Sequence, residues 1–217
     1  MSLRIFLIDD HPIVREGMGR LIDREPDMTL CGESDGDDDP LGAIEKTQPD
    51  VVVLDLSLPR INGLDMIADI KLRAPATRVF VLSMHDEKLY AERVIRAGAM
   101  GYIMKQEAPA KVLDAIRTVA SGSLFLSPDI AQTVIKGMMK PRQETTFSAL
   151  SDREFQVFVF IGEGKTLQEI AERLSLSVKT IESHVERIKT KLDIGSGREL
   201  MRRAIEWVLR NQGPSMN

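Results

Sequence analysis

Five short apolar runs constrain this chain more than any other feature. Leu3–Ile8 leads into Asp9-Asp10, Val51–Leu54 into Asp55, Val79–Leu82 into Ser83 and Gly101–Met104 into Lys105, and Met28–Gly32 makes the fifth. A strand that is apolar along its whole length must be covered on both faces, which parallel strands joined by crossover helices achieve. The residues between the runs carry helical spacing: Val14, Met18, Leu21 and Ile22 before Glu25-Pro26, Ala43-Ile44 before Pro49, and stretches at about 62–73, 87–98 and 109–121. Residues 1–121 therefore read as one α/β domain built on a parallel sheet.

From Gly122 to Phe147 the pattern loosens. Gly122-Ser123, Ser127-Pro128 and Pro141-Arg142-Gln143-Glu144 are turn and loop signals, with one helical stretch at about 129–139, so 122–147 is expected to be a linker with a short helix. After it the strand signals stop, and residues 148–217 read as an all-α domain of four helices. Ser151-x-x-Glu154 and Thr166-x-x-Glu169 are two capping boxes, each opening a helix. Leu167, Ile170, Ala171 and Leu174 share one face, and Ser175-Leu176-Ser177 makes a turn. Val178, Ile181, Val185, Ile188 and Leu192 then mark a longer helix, and Leu200, Ala204, Trp207 and Val208 a fourth. Two helices joined by a three-residue turn, the second longer, is helix-turn-helix geometry.

Composition narrows the function classes. The net charge is −4, but residues 1–121 hold 15 basic and 21 acidic side chains, a balance of −6, while 148–217 hold 11 and 10, a balance of +1. An acidic part joined to a nearly neutral, arginine-bearing one points to two jobs. Cys31 is the single cysteine, which excludes an internal disulfide and a multi-cysteine zinc site. No apolar run is long enough to span a membrane, and Met1-Ser2-Leu3-Arg4 does not open a secretory signal, so the cytoplasm is the expected compartment. Asp35-Gly36-Asp37-Asp38-Asp39 lacks the spacing and closing glutamate of a calcium loop. Gly164-Lys165-Thr166 lacks the earlier glycine of a phosphate-binding loop, since that position is Val159.

The strand ends carry the chemistry. In an open parallel sheet they converge on one crevice where the strand order reverses. Carboxylates gathered there repel one another unless a hard divalent cation joins them, and Mg²⁺ takes a few carboxylates while keeping positions for water and phosphate oxygens. A carboxylate also serves as a nucleophile toward a phosphoryl group, giving an acyl phosphate.

With Asp9-Asp10, the stretch Asp55-Leu-Ser-Leu-Pro59-Arg-Ile-Asn-Gly63, Ser83, Tyr102 and Lys105 in that order, residues 3–121 closely resemble the receiver domains of two-component systems. The resemblance implies a flavodoxin-like, doubly wound (βα)5 fold. It implies that Asp55 is the phosphoacceptor, and that Asp10, Asp55 and the backbone carbonyl of Ser57 hold Mg²⁺, with Asp9 supporting it through water. Ser83 and Lys105 would bind the phosphoryl oxygens, and Tyr102 would swing inward as Ser83 moves. Gln106 departs from the family, many of whose members have proline there.

Residues 148–211 resemble the LuxR-type four-helix DNA-binding domain of the NarL/FixJ response regulators. The resemblance rests on Leu150-Ser-Asp-Arg153-Glu154, Gly164, Glu169-Ile170-Ala171, Leu174-Ser-Leu-Ser177, Thr180-Ile181, His184 and Lys191-Leu192. The helix from Val178 is then expected in the major groove of double-stranded DNA. Lys179, Arg187, Lys189 and Lys191 are the candidate phosphate contacts, with Thr180 and Ser183 at phosphate or base edges. Glu182 and Glu186 break the family pattern by placing two carboxylates on that helix, although Glu182 can accept a hydrogen bond from cytosine. The implied protein is a transcriptional regulator phosphorylated by a sensor histidine kinase and binding promoter half-sites as a homodimer, with Met201, Ile205 and Val208 as an apolar dimer stripe, although core packing explains Val208 equally well. Two alternatives stand beside it. One is a receiver whose last domain binds protein instead of DNA. The other is an aspartyl-phosphate phosphatase, disfavoured because such enzymes carry the nucleophile on the first strand and Asp55 ends the third.

Overall fold

The computed structural model describes residues 2–58, 61–84, 87–128, 130–132, 134 and 149–212. Pro59, His85 and much of the expected 129–139 helix lie outside them; residues 128, 130–132 and 134 are helical. The chain forms two compact units, Met1–Gly137 and Met138–Asn217.

In the first unit, β1 (Leu3–Ile8), β2 (Met28–Ser34), β3 (Val51–Leu54), β4 (Arg78–Ser83) and β5 (Gly101–Met104) alternate with α1 (Pro12–Asp23), α2 (Pro40–Thr47), α3 (Gly63–Arg73), α4 (Glu87–Ala97) and α5 (Pro109–Ala120). All strand pairs are parallel and the order is β2-β1-β3-β4-β5. This is the flavodoxin-like order, with its reversal between β1 and β3. The β3 residues Val51, Val52, Val53 and Leu54 are wholly buried, as a central strand covered on both faces requires. β2 runs two residues past the expected Gly32, because Glu33 and Ser34 still pair with Leu7 and Ile8 beyond a register shift between Ile5 and Phe6. Gly32 is a close-approach position: a Cβ there would sit 2.5 Å from the Phe6 ring.

Local signals set the helix starts. Pro12, Pro40 and Pro109 each open a helix, where a missing N–H costs nothing. Asn62 caps α3 by accepting the Leu64 N–H at 3.0 Å.

The second unit contains α6 (Asp152–Gly162), α7 (Leu167–Arg173), α8 (Val178–Lys191) and α9 (Gly197–Gln212). Both expected capping boxes form, and Ser177 adds a third cap by accepting the Thr180 N–H. Trp207 of α9 stands edge-on to Phe155 and Phe158 of α6 at 5.2 and 6.0 Å. Gly162 lets the two helices meet, since a Cβ there would lie 2.5 Å from the Ala204 carbonyl oxygen.

Glu154 ties this unit together. Its Oε2 accepts the Ser151 N–H at 2.7 Å and the Lys191 ammonium at 2.7 Å. Burial pushes its carboxyl up, but Lys191 and Ser151 outweigh burial and hold it below the usual range. A depressed folded pKa contributes stability above the unfolded value near 4.5, lost as pH falls through the folded one. Glu154→Ala is expected to cost the second unit about 1–2 kcal/mol at neutral pH. Fluorescence of Trp207, the only tryptophan, reads this directly, and the deficit should shrink toward acid pH.

Candidate functional site

The ends of β1, β3, β4 and β5 bring Asp9, Asp10, Asp55, Ser83 and Lys105 into one region, as their positions in the sequence require. Asp55 is fixed by its own N–H on the Ile8 carbonyl at 2.8 Å, and Lys105 by its N–H on the Ser83 carbonyl at 2.8 Å. The Lys105 ammonium lies 2.6 Å from Asp9 Oδ2 and 2.8 Å from Asp55 Oδ2. The Ser57 amide donates to Asp55 Oδ1 at 3.1 Å, so both oxygens of that carboxylate are held. Asp9 accepts the His11 amide at 2.9 Å.

The electrostatics follow from burial. Asp9 and Asp55 are each 1% exposed. Burial, and then the charge of Asp55, push the Asp9 carboxyl up, with Lys105 pulling the other way. For Lys105 burial lowers the pKa, but the two aspartates outweigh it and the ammonium is held above its ordinary value. One cation thus faces two buried carboxylates and a third nearby.

This arrangement fits a hard divalent cation. Ligand atoms of Asp9, Asp10, His11 and Asp55 all lie within 4.8 Å of one another. Asp10 Oδ1 is buried and lies 2.6 Å from His11 Nδ1 without forming a hydrogen bond, so a carboxylate oxygen is left without a donor. Oxygen-rich, under-compensated negative charge of this kind can hold a metal ion of the hard, oxygen-seeking class.

Ser83 and Tyr102 lie on the paired strands β4 and β5, both buried. Tyr102 is already turned inward, 1% exposed. Burial raises its hydroxyl well above the ordinary tyrosine value.

In the second unit α8 buries Ile181 and Ile188 and exposes Lys179, Glu182, Ser183, Glu186, Arg187 and Thr190. The structure brings Lys179, Glu182, Ser183 and Arg187 together on the solvent side. Four of the expected DNA contacts make intramolecular bonds: Ser183 donates to the Lys179 carbonyl at 3.0 Å, Thr180 bonds Ser177 at 2.8 Å, Lys189 bonds Glu186 at 2.9 Å, and Lys191 bonds Glu154.

Comparison with known proteins agrees with this geometry. A family model described as the response regulator receiver domain matches residues 5–117, and one described as bacterial regulatory proteins of the luxR family matches residues 148–204. Response regulator UvrY of Escherichia coli is 35% identical over 210 residues, 96% of both chains. The chain is a LuxR-family response regulator.

Among solved structures, a LuxR-family two-component response regulator from Aurantimonas is 36% identical, with a TM-score of 0.58 over 64% of this chain and all of that one. RcsB of Salmonella enterica serovar Typhimurium, 23% identical, shares the fold at a TM-score of 0.61 over 94% of this chain and 99% of that one. This response regulator thus joins a receiver domain to a LuxR-type domain and regulates transcription. No helix among its described residues is long and apolar enough to cross a membrane.

Two features of the regulator escaped the sequence reading, Leu209 and a bond at Glu87. Of the two readings of Val208 the core holds, at 3% exposure. The exposed stripe on α9 is Met201, Ile205 and Leu209, at 49, 37 and 68%. Spacing alone could have suggested Leu209, four residues beyond Ile205. The bond from the Ser127 N–H to Glu87 Oε1 at 3.1 Å had no local signal, because 40 residues separate its partners.

Proposed function

We propose that Asp55 accepts a phosphoryl group from a sensor histidine kinase or a small acyl phosphate, and that this drives dimerisation and binding of the second unit to promoter half-sites. The observation that carries the reading is the meeting of the buried Asp9 and Asp55 with Lys105 and the half-buried Asp10 in one cluster at the sheet's reversal point. From a kinase phosphohistidine the N–P bond breaks as an Asp55 Oδ–P bond forms, and the imidazole leaves carrying its electron pair. Asp10, Asp55 and the Ser57 carbonyl would hold Mg²⁺, with Asp9 acting through water. The metal supplies positive charge to the transferring oxygens. Lys105 and Ser83 then bind the phosphoryl oxygens. The regulator turns over no external substrate and sheds its own phosphoryl group to water. We assign the receiver to residues 1–121, the linker to 122–147 and the DNA-binding domain to 148–217, all working in the cytoplasm.

DNA binding as the output is supported by the LuxR-type domain and by RcsB, which has been solved bound to promoter rprA in the presence of phosphomimetic BeF₃⁻. The α9 stripe Met201, Ile205 and Leu209 is an apolar face suited to the dimer. A second reading, a protein-binding output, draws on the exposed carboxylates Glu182 and Glu186. Gel shifts against genomic fragments, with and without phosphorylation, test the choice: a phosphorylation-dependent shift of specific fragments is expected, and none at all favours protein binding.

The acidic face has its own expected result. Each phosphate neutralised by a basic residue weakens binding with salt at a slope of about −0.9. Glu182→Gln with Glu186→Gln should strengthen binding to random duplexes, by removing repulsion and releasing Lys189 from Glu186. Lys179→Ala should weaken binding to every duplex and lower the salt slope by about one. Unchanged binding in Lys179→Ala would remove α8 from the DNA interface. Lys191→Ala should act mainly on stability, through Glu154.

A further inference from the structure

The carboxylate cluster of the receiver also contains a nitrogen. His11 Nδ1 lies 2.6 Å from Asp10 Oδ1 and 3.2 Å from Asp9 Oδ1, and the ligand atoms of all three residues and of Asp55 gather within 4.8 Å of one another. Lys105 engages different oxygens, Asp9 Oδ2 and Asp55 Oδ2. The imidazole therefore meets oxygens that the ammonium leaves to it. One of these, Asp10 Oδ1, is buried and accepts no hydrogen bond, so it still lacks an electrophilic partner.

The backbone holds His11 as firmly as a ligand requires. Its amide donates to Asp9 Oδ1 at 2.9 Å, and its carbonyl accepts the Val14 and Arg15 N–H groups at 3.0 and 3.1 Å. Pro12 follows it at the start of α1. The His11 side chain makes no capping hydrogen bond to that helix, so α1 does not need the imidazole. With 56% of the side chain in solvent, the ring stands at the mouth of the cluster, where an entering ion meets it first.

We propose that His11 Nδ1 is a further ligand of this cluster, and that it makes the receiver favour divalent ions of the cobalt-to-zinc series over Mg²⁺. The proposal rests on the reading that the cluster binds a divalent cation. Mg²⁺ takes oxygen ligands and gives up its water reluctantly, so a nearby imidazole adds little to its binding. The later first-row ions accept imidazole readily, and bind mixed nitrogen and oxygen sites more tightly. Two ligands of one ion face that ion and not each other. The contact between His11 and Asp10, close but not aligned as a hydrogen bond, has this character. A simple ion pair between His11 and Asp10 has a different consequence: removing its cation would strengthen the binding of every divalent ion alike.

Calorimetric titrations of the full chain with Co²⁺ and with Mg²⁺ test this, at about pH 8 so that the imidazole is neutral and free to bind. Wild type should bind Co²⁺ more tightly than Mg²⁺. Losing a group that merely supports a ligand costs about 10–100-fold in metal affinity, so His11→Ala should lose at least about tenfold for Co²⁺. Its Mg²⁺ affinity should stay within about twofold of wild type, since water can take the vacated position. The visible absorption band of bound Co²⁺ should move to longer wavelength in His11→Ala, because oxygen is the weaker-field ligand. Asp10→Asn should weaken both ions, which checks that they sit in this cluster. Wild type that binds neither ion, or Asp10→Asn that binds both as wild type does, overturns the metal reading and the proposal with it. Binding that Asp10→Asn weakens, with the same Co²⁺-to-Mg²⁺ preference and the same Co²⁺ band in His11→Ala as in wild type, overturns the role of His11 alone.

Discussion

Asp55→Asn takes up no phosphate from acetyl phosphate and Mg²⁺ under conditions that label wild type fully. An amide is not a nucleophile toward phosphorus, and the other carboxylates of the cluster are differently committed. Asp9 lies under Lys105 with its second oxygen on the His11 amide, and Asp10 sits beside the His11 ring. The substitution should spare the fold. It keeps the side-chain shape, leaves Lys105 its contact with Asp9, and removes the charge that helps push the Asp9 carboxyl up. Loss of label with an unchanged urea midpoint is the expected pair of results. Wild-type incorporation of alkali-labile phosphate into Asp55→Asn would move the acceptor elsewhere.

Lys105→Ala should be the most destabilising change at the site, at about 3–5 kcal/mol, the range for removing one partner of a buried charge cluster. Asp9 and Asp55 would face each other without their common cation. The pH dependence has a definite sign. The Asp9 folded pKa is raised above 3.8, chiefly by burial, so the stability tied to its protonated form is complete below that value. That stability is lost as pH rises through the folded pKa. Without Lys105 the rise grows, and the deficit should be small in acid and large at pH 7. Urea unfolding followed by circular dichroism measures it, and added Mg²⁺ should narrow it. A deficit below about 1 kcal/mol at pH 7 would show that the two carboxylates are not held by this ammonium. The variant is expected to keep residual phosphorylation with little gain in dimerisation, and Ser83→Ala should do the same, since transfer and response use different partners.

What could be read in advance follows from how each feature is encoded. The three inner strands, β1, β3 and β4, were visible because burial on both faces leaves unbroken apolar runs such as Val51–Leu54, and the edge strand β5 carries such a run as well. The residues after those runs announced the cluster for the same reason, as a parallel sheet sends every strand end to one side. The edge strand β2 was legible only to Gly32, since Glu33 and Ser34 pair through their backbone and carry no apolar mark. Helix starts in the second unit were legible because a capping box occupies four consecutive residues. Side-chain partners were not. Nothing local distinguishes Lys191, which reaches back to Glu154, from Lys179, which faces solvent. The Glu87–Ser127 bond joins residues far apart in sequence, and only the assembled sheet brings them together.

The scatter of the cluster along the chain also governs how this protein is made. Its residues run from Asp9 to Lys105, on four strands that pair only after each crossover closes. Long-range parallel pairing of this kind folds slowly, whereas the second unit, with helix starts written in single turns, belongs to the fast class. Synthesis offsets the difference, because domains fold in order from the N-terminus as they are made. Lys105 leaves the ribosome well before α8 does. The nascent chain therefore gets its regulatory input in place before its output exists, and a regulator with a completed α8 but no receiver is never an intermediate of its own synthesis.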